Sequence, residues 1–165
     1  MDAIDRKILE CVQRDGALTY AEIGAAAGLS ASTVNDRLKR LRADGVLRRM
    51  TAEIDPAAVD LKLLAFVMVV VEAGISEDVF RAGMLTAPEV LECHHVTGEF
   101  SYLLKLRLRD TAQLEAFLTN TLKPLTGFGR TQTLIALSST KETHILSPLH
   151  SGGASGPHKS TGGNA

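Results

Sequence analysis

The sequence predicts an α+β chain in two parts: an N-terminal helix-turn-helix (winged-helix-like) domain and a C-terminal ferredoxin-like βαββαβ dimerisation domain. Three observations carry that prediction. Residues Thr19 to Met50 read as two short capped helices around a glycine turn. Leu63 to Val71, LLAFVMVVV, is an almost unbroken apolar run rich in β-branched residues, the pattern of a strand buried on both faces. From there on, strand and helix periods alternate in the order βαββαβ, with both helices on one side of a four-stranded sheet.

The first element, Asp2 to Asp15, carries Ile4, Ile8, Leu9 and Val12 on one helical face and stops at Gly16. Thr19 and Glu22 have the spacing of a capping box, in which each side chain satisfies a free backbone N–H of the other. Ala25, Ala26 and Ala27 are small enough for a neighbouring helix to pack close. Gly28 supplies the left-handed residue that ends this helix, and Ser30 caps the next. In that next helix Val34, Leu38 and Leu41 fall at i, i+4 and i+7, one buried stripe. Ser32, Thr33, Asn35, Asp36, Arg37, Lys39 and Arg40 lie off it.

A short capped helix with polar and cationic groups outward is what the major groove of duplex DNA accepts. Ser32 and Thr33, at its start, are placed for base edges, and Arg37 or Arg40 for a fork onto guanine. Asp36 is expected to pair with Arg40 at i+4. Gly45-Val46-Leu47 then turns the chain into an extended piece, Leu47 to Ile54, a wing or a strand leading away, whose Arg48 and Arg49 suit phosphates. The expected DNA-binding set is Ser30, Ser32, Thr33, Asn35, Arg37, Lys39, Arg40, Arg48 and Arg49.

Net charge is −1, which on its face argues against a nucleic-acid partner. The distribution reverses that reading. Arg37, Lys39, Arg40, Arg42, Arg48 and Arg49 fall in one short stretch, opposed by Asp36 and Asp44 alone, and local field governs approach to phosphate. Hydrophobic content of 45% suffices for a core, and with 4% aromatics that core is aliphatic. No apolar run reaches the ~20 residues a bilayer requires, and no leader pattern opens the chain, so no membrane partner and a cytoplasmic location are expected. Cys11 and Cys93 form neither a disulfide framework nor a CxxC site and read as small buried hydrophobes.

Asp55-Pro56 closes the first unit, and the expected division is residues 1–54, a linker over 55–62, a second domain over 63–149 and a tail over 150–165. Ser76 is expected to cap a helix through Leu85, with Glu77 and Asp78 in its first turn. Val90 to Val96 is the second strand and Gly98-Glu99 a turn. Phe100 to Leu108 is the third strand, with Lys105, Arg107 and Arg109 on one face and Leu104, Leu106 and Leu108 on the other. Asp110 caps a helix through Leu122, halted by Pro124, and Gly129 to Ser138 is the fourth strand. The plan leaves one sheet face open although the first strand is apolar on both, so a second copy is expected to cover it, sheet against sheet. Lys141 to Leu149 is expected to extend the sheet edge or pack on the partner. The tail from Ser151 is Gly/Ser-rich and expected to be disordered.

Cys93-His94-His95 resembles a metal trio, but neighbouring strand residues face opposite sides, so the two histidines cannot chelate one ion. Cys93 and His95 share a face without further ligands at suitable spacing. No metal and no cofactor is expected.

Together the two halves resemble the leucine-responsive/AsnC (Lrp/AsnC) family of transcription regulators. The likeness rests on Asp2-Ala-Ile-Asp-Arg-Lys-Ile-Leu9, Gly28-Leu29-Ser30, Arg37-Leu38-Lys39-Arg40-Leu41, Gly45-Val46-Leu47 and Ile54-Asp55-Pro56. It continues through Ala65-Phe66-Val67, His95-Val96-Thr97-Gly98-Glu99, Tyr102-Leu103-Leu104-Lys105, Thr131-Gln132-Thr133 and Lys141. The resemblance implies double-stranded DNA as partner, a homodimer assembling to a tetramer or octamer, and an amino acid or related metabolite bound in a cleft between dimers. It implies an effector-binding set of Gly98, Glu99, Ser101, Tyr102, Thr131, Thr133 and Ser139. Two departures stand out. The family's Gly-Asp-x-Asp-Tyr is here Gly98-Glu99-Phe100-Ser101-Tyr102, which loses a carboxylate able to meet an ammonium. Its Ile-x-Gly-Tyr is Leu47-Arg48-Arg49-Met50, which gains charge and loses an aromatic.

Two other readings compete with a sequence-specific regulator. Siroheme decarboxylases look similar in both domains and use His and Arg near the second and third strands, but no arginine falls between Cys93 and Tyr102. An architectural protein coating DNA without sequence preference is the other.

Overall fold

A computed structural model describes residues 1–71, 74, 76–126 and 129–146. The chain divides into two compact units at Glu53/Ile54 and again at Glu142/Thr143, so the described residues from Thr143 onward group with the N-terminal unit.

The N-terminal unit holds α1 (Ala3–Arg14), α2 (Tyr20–Ala27) and α3 (Ala31–Ala43). Ile8, Leu9, Val12, Ile23, Val34, Leu38 and Leu41 form its core, with Leu47 packed against it. These are the stripes the 3.6-residue period picks out. The close approach of the helices differs from expectation. Ala25 and Ala26 are exposed, and it is Gly24 that is buried, where an added Cβ would stand 2.5 Å from the Leu29 carbonyl oxygen. The buried stripe of α2 passes through Ile23, Gly24 and Ala27, one position away from the alanine pair. After Gly45, in the left-handed region at φ 70°, the Leu47 N–H donates to the Leu41 carbonyl. The stretch 47–54 is irregular and contributes no wing strand. Leu146 ties into this unit: the Gln13 side-chain amide donates to its carbonyl at 3.0 Å, and its N–H donates to Gln13 Oε1 at 2.7 Å.

The second unit opens with a 3-10 turn at Pro56–Val59, capped by Asp55, where a linker was expected. Its sheet comprises β1 (Leu63–Val69), β2 (Val90–His95), β3 (Tyr102–Leu108) and β4 (Thr131–Ile135), antiparallel throughout in the order β2-β3-β1-β4. Strand alternation puts Ala65, Val67, Val69, Tyr102, Leu104, Leu106 and Leu108 on one face. They pack against Phe80 and Met84 of α4 (Glu77–Thr86) and against Leu114, Phe117 and Leu122 of the second helical segment. This is the ferredoxin-like plan.

That second segment runs on past the expected stop. It begins as α5 (Thr111–Ala116), capped by Asp110, widens to a π-helical register over Phe117–Leu122 and ends as α6 (Lys123–Thr126). The Lys123 N–H reaches back five residues to the Leu118 carbonyl. The wider register carries the helix past Pro124, which has no N–H to donate. Ser76 occupies the start of α4 but makes no side-chain cap; Asp78 instead pairs with Arg81 at 3.0 Å. Cys11 is half-buried, and Cys93, on edge strand β2, is exposed rather than buried.

The other sheet face carries Leu64, Phe66 and Met68 from β1, Leu103, Lys105 and Arg107 from β3, and Leu134 from β4. Leu64 is buried, Phe66, Met68 and Leu103 are half-buried, and Leu134 is 49% exposed, so within one chain β1 is fully dry on one face only. The chain after β4 does not extend the sheet edge. The Glu142 carboxylate lies over this open face and bridges Lys105, at 3.0 Å, and Arg107. Residues 147–149 and the tail from Ser151 lie outside the described residues.

Candidate nucleic-acid interface and effector edge

The helix-turn-helix is held by local chemistry, from the start of α2 to the start of α3. The Thr19 N–H donates to Glu22 Oε2 at 2.7 Å, and the Glu22 N–H donates to Thr19 Oγ1 at 3.3 Å, the reciprocal box. Gly28 sits at φ 72°, which favours glycine, and the Leu29 N–H donates to the Gly24 carbonyl at 2.9 Å. Ser30 Oγ accepts from the Thr33 N–H at 3.2 Å and contacts the Ser32 and Thr33 hydroxyls at 2.9 and 2.8 Å. Ser30 is therefore committed to starting α3, while Ser32 is exposed beside it.

The cations of this region divide into two sets. Lys39, Arg48 and Arg49 are exposed, and among the described residues no carboxylate pairs with them. Arg37 and Arg40 turn back onto α1. The Arg37 Nη1 donates to Asp2 Oδ2 at 2.7 Å and to Asp5 Oδ1 at 2.8 Å; the Arg40 Nη2 donates to both Asp5 oxygens at 2.9 Å. Arg40 thus pairs with Asp5 and not with Asp36, because the α1–α3 packing brings Asp5 within reach of it. Asp5 is 1% exposed, yet every oxygen is occupied, since Oδ2 also accepts from the Asp2 N–H at 2.9 Å. Sequence reasoning missed both aspartates, whose signal was their three-residue spacing ahead of Ile8.

The Arg37 guanidinium and the Asp5 N–H together hold the Asp2 carboxyl down from 3.8 to about 2. At Asp5, burial pushes the carboxyl up, but the Asp2 N–H and the Arg37 guanidinium outweigh it and leave it lowered. A carboxyl lowered by folding contributes stability that is complete above its unfolded pKa and lost as pH falls through the folded value. Melting of the N-terminal unit is therefore expected to fall between about pH 4 and pH 2. Asp2→Asn should flatten that fall in circular dichroism melts across pH; an unchanged profile would contradict the assignment.

At one end of the sheet, part of the expected effector set gathers. Gly98 turns at φ 114°, the Ser101 N–H donates to the Val69 carbonyl at 2.9 Å, and Tyr102, Val69 and Thr131 stand in one row across β3, β1 and β4. Thr133 lies two residues along, opposite Val67. Arg130, which the sequence reading passed over, joins the loop to β4: its Nη2 lies 2.5 Å from Glu99 Oε1 and its guanidinium 4.7 Å from the centre of the Phe100 ring. Two members stand apart. Tyr102 is 2% exposed on the helix side, where its hydroxyl donates to Glu77 Oε2 at 2.9 Å and its ring stacks on His95. Ser139 follows Ala136, whose N–H donates to Leu64 at the opposite end of β1. On β2, His94 contacts Glu92 at 3.1 Å on the open face, while His95 faces the helices.

Residues 1–42 match the AsnC-type helix-turn-helix domain, and residues 64–146 match the Lrp/AsnC ligand binding domain. The chain is 36% identical over 146 residues to the HTH-type transcriptional regulator FL11 of Pyrococcus furiosus, covering 88% of this chain and 95% of that protein. It is 35% identical over 148 residues to the leucine-responsive regulatory protein of Haemophilus influenzae, covering 88% and 89%. Among solved structures it resembles a transcriptional regulator from Neisseria meningitidis in complex with L-Met, at a TM-score of 0.81 and 34% identity, covering 88% and 96%. An AsnC family regulator from Agrobacterium tumefaciens superposes at a TM-score of 0.82 with 31% identity, covering 88% and 96%. Regulators on every side point away from the decarboxylase reading, and no helix among the described residues is long and apolar enough to cross a membrane. With the capped turn, the ferredoxin-like sheet and both domain matches in agreement, the chain belongs to the Lrp/AsnC family of DNA-binding transcriptional regulators.

Proposed function

We propose that α3 enters the major groove as the reading helix of a cytoplasmic regulator, with an amino acid or related metabolite setting its affinity. The observation that supports this best is the division of α3 itself. Val34, Leu38 and Leu41 are buried, while Ser32, Asp36 and Lys39 are exposed on the other side and Thr33 and Asn35 are half-exposed. Ser32, Thr33 and Asn35 near the helix start read base edges; Lys39, Arg48 and Arg49, together with the N–H groups Arg40 has to spare, hold phosphates. Ser30 serves by fixing the helix start. Two copies joined across the open sheet face present two such helices to successive grooves about one helical turn apart.

The effector reading rests on the Glu99–Arg130 pair at the sheet end. An α-amino acid carries an ammonium that suits Glu99 and a carboxylate that suits Arg130, and the related Neisseria protein is described with L-Met. Assembly beyond the dimer would place such pairs between dimers and link ligand to oligomer population.

The test is fluorescence anisotropy on a labelled duplex across salt, repeated with L-Met, L-Leu and other amino acids. Each phosphate neutralised contributes about 0.9 to the slope of log K against log salt, so the four cations of each reading unit predict a slope of about −3.6 or steeper. A flat salt response overturns the reading.

A further inference from the structure

We propose that Asp2 and Asp5 occupy Arg37 in place of DNA phosphate, so that Arg37 sets the pose of α3 and makes no contact with the duplex. The inference rests on α3 being the reading helix. Three observations carry it.

The first is geometry. A single Arg37 nitrogen, Nη1, donates to Asp2 at 2.7 Å and to Asp5 at 2.8 Å, the short distances of charge-assisted bonds. The second is burial. The Arg37 side chain is 21% exposed and Asp5 only 1%, whereas Arg40, which also holds Asp5, is 53% exposed. Withdrawing Arg37 toward a phosphate would leave the Asp5 charge buried with one guanidinium fewer, an expensive exchange for a phosphate contact in water. Arg40 can turn its remaining N–H groups outward without leaving Asp5. The third is topology. Asp2 is the N-cap of α1 and Asp5 its third residue, and each accepts the other's backbone N–H. The carboxylates that hold Arg37 are thus fixed at a helix start, and through Arg37 they fix the angle at which α3 stands on α1. Two of the basic residues of α3 are in this way spent wholly or partly inside the protein, and the DNA-facing charge of the helix is smaller than its sequence suggests.

The salt slope separates positioning from contact, because it counts phosphates neutralised. Four full-length proteins are compared by anisotropy on one mixed-sequence duplex: the natural chain, Lys39→Gln, Arg37→Gln and Asp2→Asn. Lys39→Gln should make the slope shallower by about 0.9 per reading helix, one phosphate lost from each copy. Arg37→Gln should lower affinity at every salt concentration and leave the slope unchanged. Asp2→Asn retains the N-cap acceptor while releasing one of the two holds on Arg37, so its slope should steepen by up to about 0.9 per reading helix. If Arg37→Gln shallows the slope as much as Lys39→Gln does, Arg37 touches phosphate and the proposal is overturned. If Arg37→Gln does not fold, Asp2→Asn decides: a slope identical to that of the natural chain overturns the proposal, and a steeper one supports it. Failure of Lys39→Gln to move the slope, or a flat slope for the natural chain, would instead count against α3 as the reading helix.

Discussion

Leu38→Ala is expected to unfold the helix-turn-helix and abolish DNA binding while the sheet domain stays folded. Leu38 is 1% exposed at the centre of the stripe Val34, Leu38 and Leu41, against Ile8, Leu9, Val12 and Ile23. Truncating a leucine in such a site costs about 2–5 kcal/mol, the transfer loss plus the cavity left behind. A single core in a unit this small rarely supplies more than about 3–5 kcal/mol, so the loss consumes most or all of its stability. Leu104 and its neighbours belong to a separate core and lose nothing. Calorimetry or amide NMR should show the N-terminal signals gone at 25 °C with those of β1 and β3 retained. A variant that still binds DNA with the natural melting temperature would contradict the packing described.

Met68→Asp is expected to turn the proposed sheet-to-sheet dimer into a monomer. Met68 lies on the open sheet face between Leu103 of β3 and Gln132 of β4, with Phe66 on the same face of its own strand. If two copies meet there, a two-fold axis brings the same patch of each together, and one substitution places two carboxylates in the interface. Desolvating each costs several kcal/mol, and Lys105 and Arg107 on this face are already bridged by Glu142. At 1.4 kcal/mol per decade the dimer should weaken by three orders of magnitude or more. Light scattering should then return the 17.6 kDa protomer mass at concentrations where the natural chain is dimeric. DNA affinity should fall with it, because one reading helix replaces two. An unchanged mass would place the copy-to-copy contact elsewhere.

The helix-turn-helix could be found in the sequence because its makers are neighbours. Thr19 and Glu22, Gly28, and Ser30 with Thr33 act across three or four residues, a distance over which spacing alone decides who meets whom. The β1 run and the alternation of β3 were legible for the same reason: a period of two fixes which face each side chain takes. The edge proposed for the effector was legible in part as a place in the fold. Glu99 and Thr131 come to the same end of the sheet, but Arg130, which links them, carried no signal beyond being a cation before Thr131. Tyr102 shows the limit. Its place in β3 was readable, yet whether its hydroxyl faces a cleft or Glu77 depended on where α4 docks.

By itself the sequence determined the helices and strands in their chain order, the caps at Thr19, Ser30 and Asp110 and the outward row of α3, all of which follow from local period and backbone hydrogen bonding. Only the tertiary structure decided which cations of α3 are already paired. Arg37 and Asp5 are 32 residues apart, and Glu142 lies 35 from Arg107. An ionic partner is chosen by proximity after the cores have packed, and burial then makes the choice costly to reverse. Nothing in the spacing of a basic run tells which of its members already hold a carboxylate.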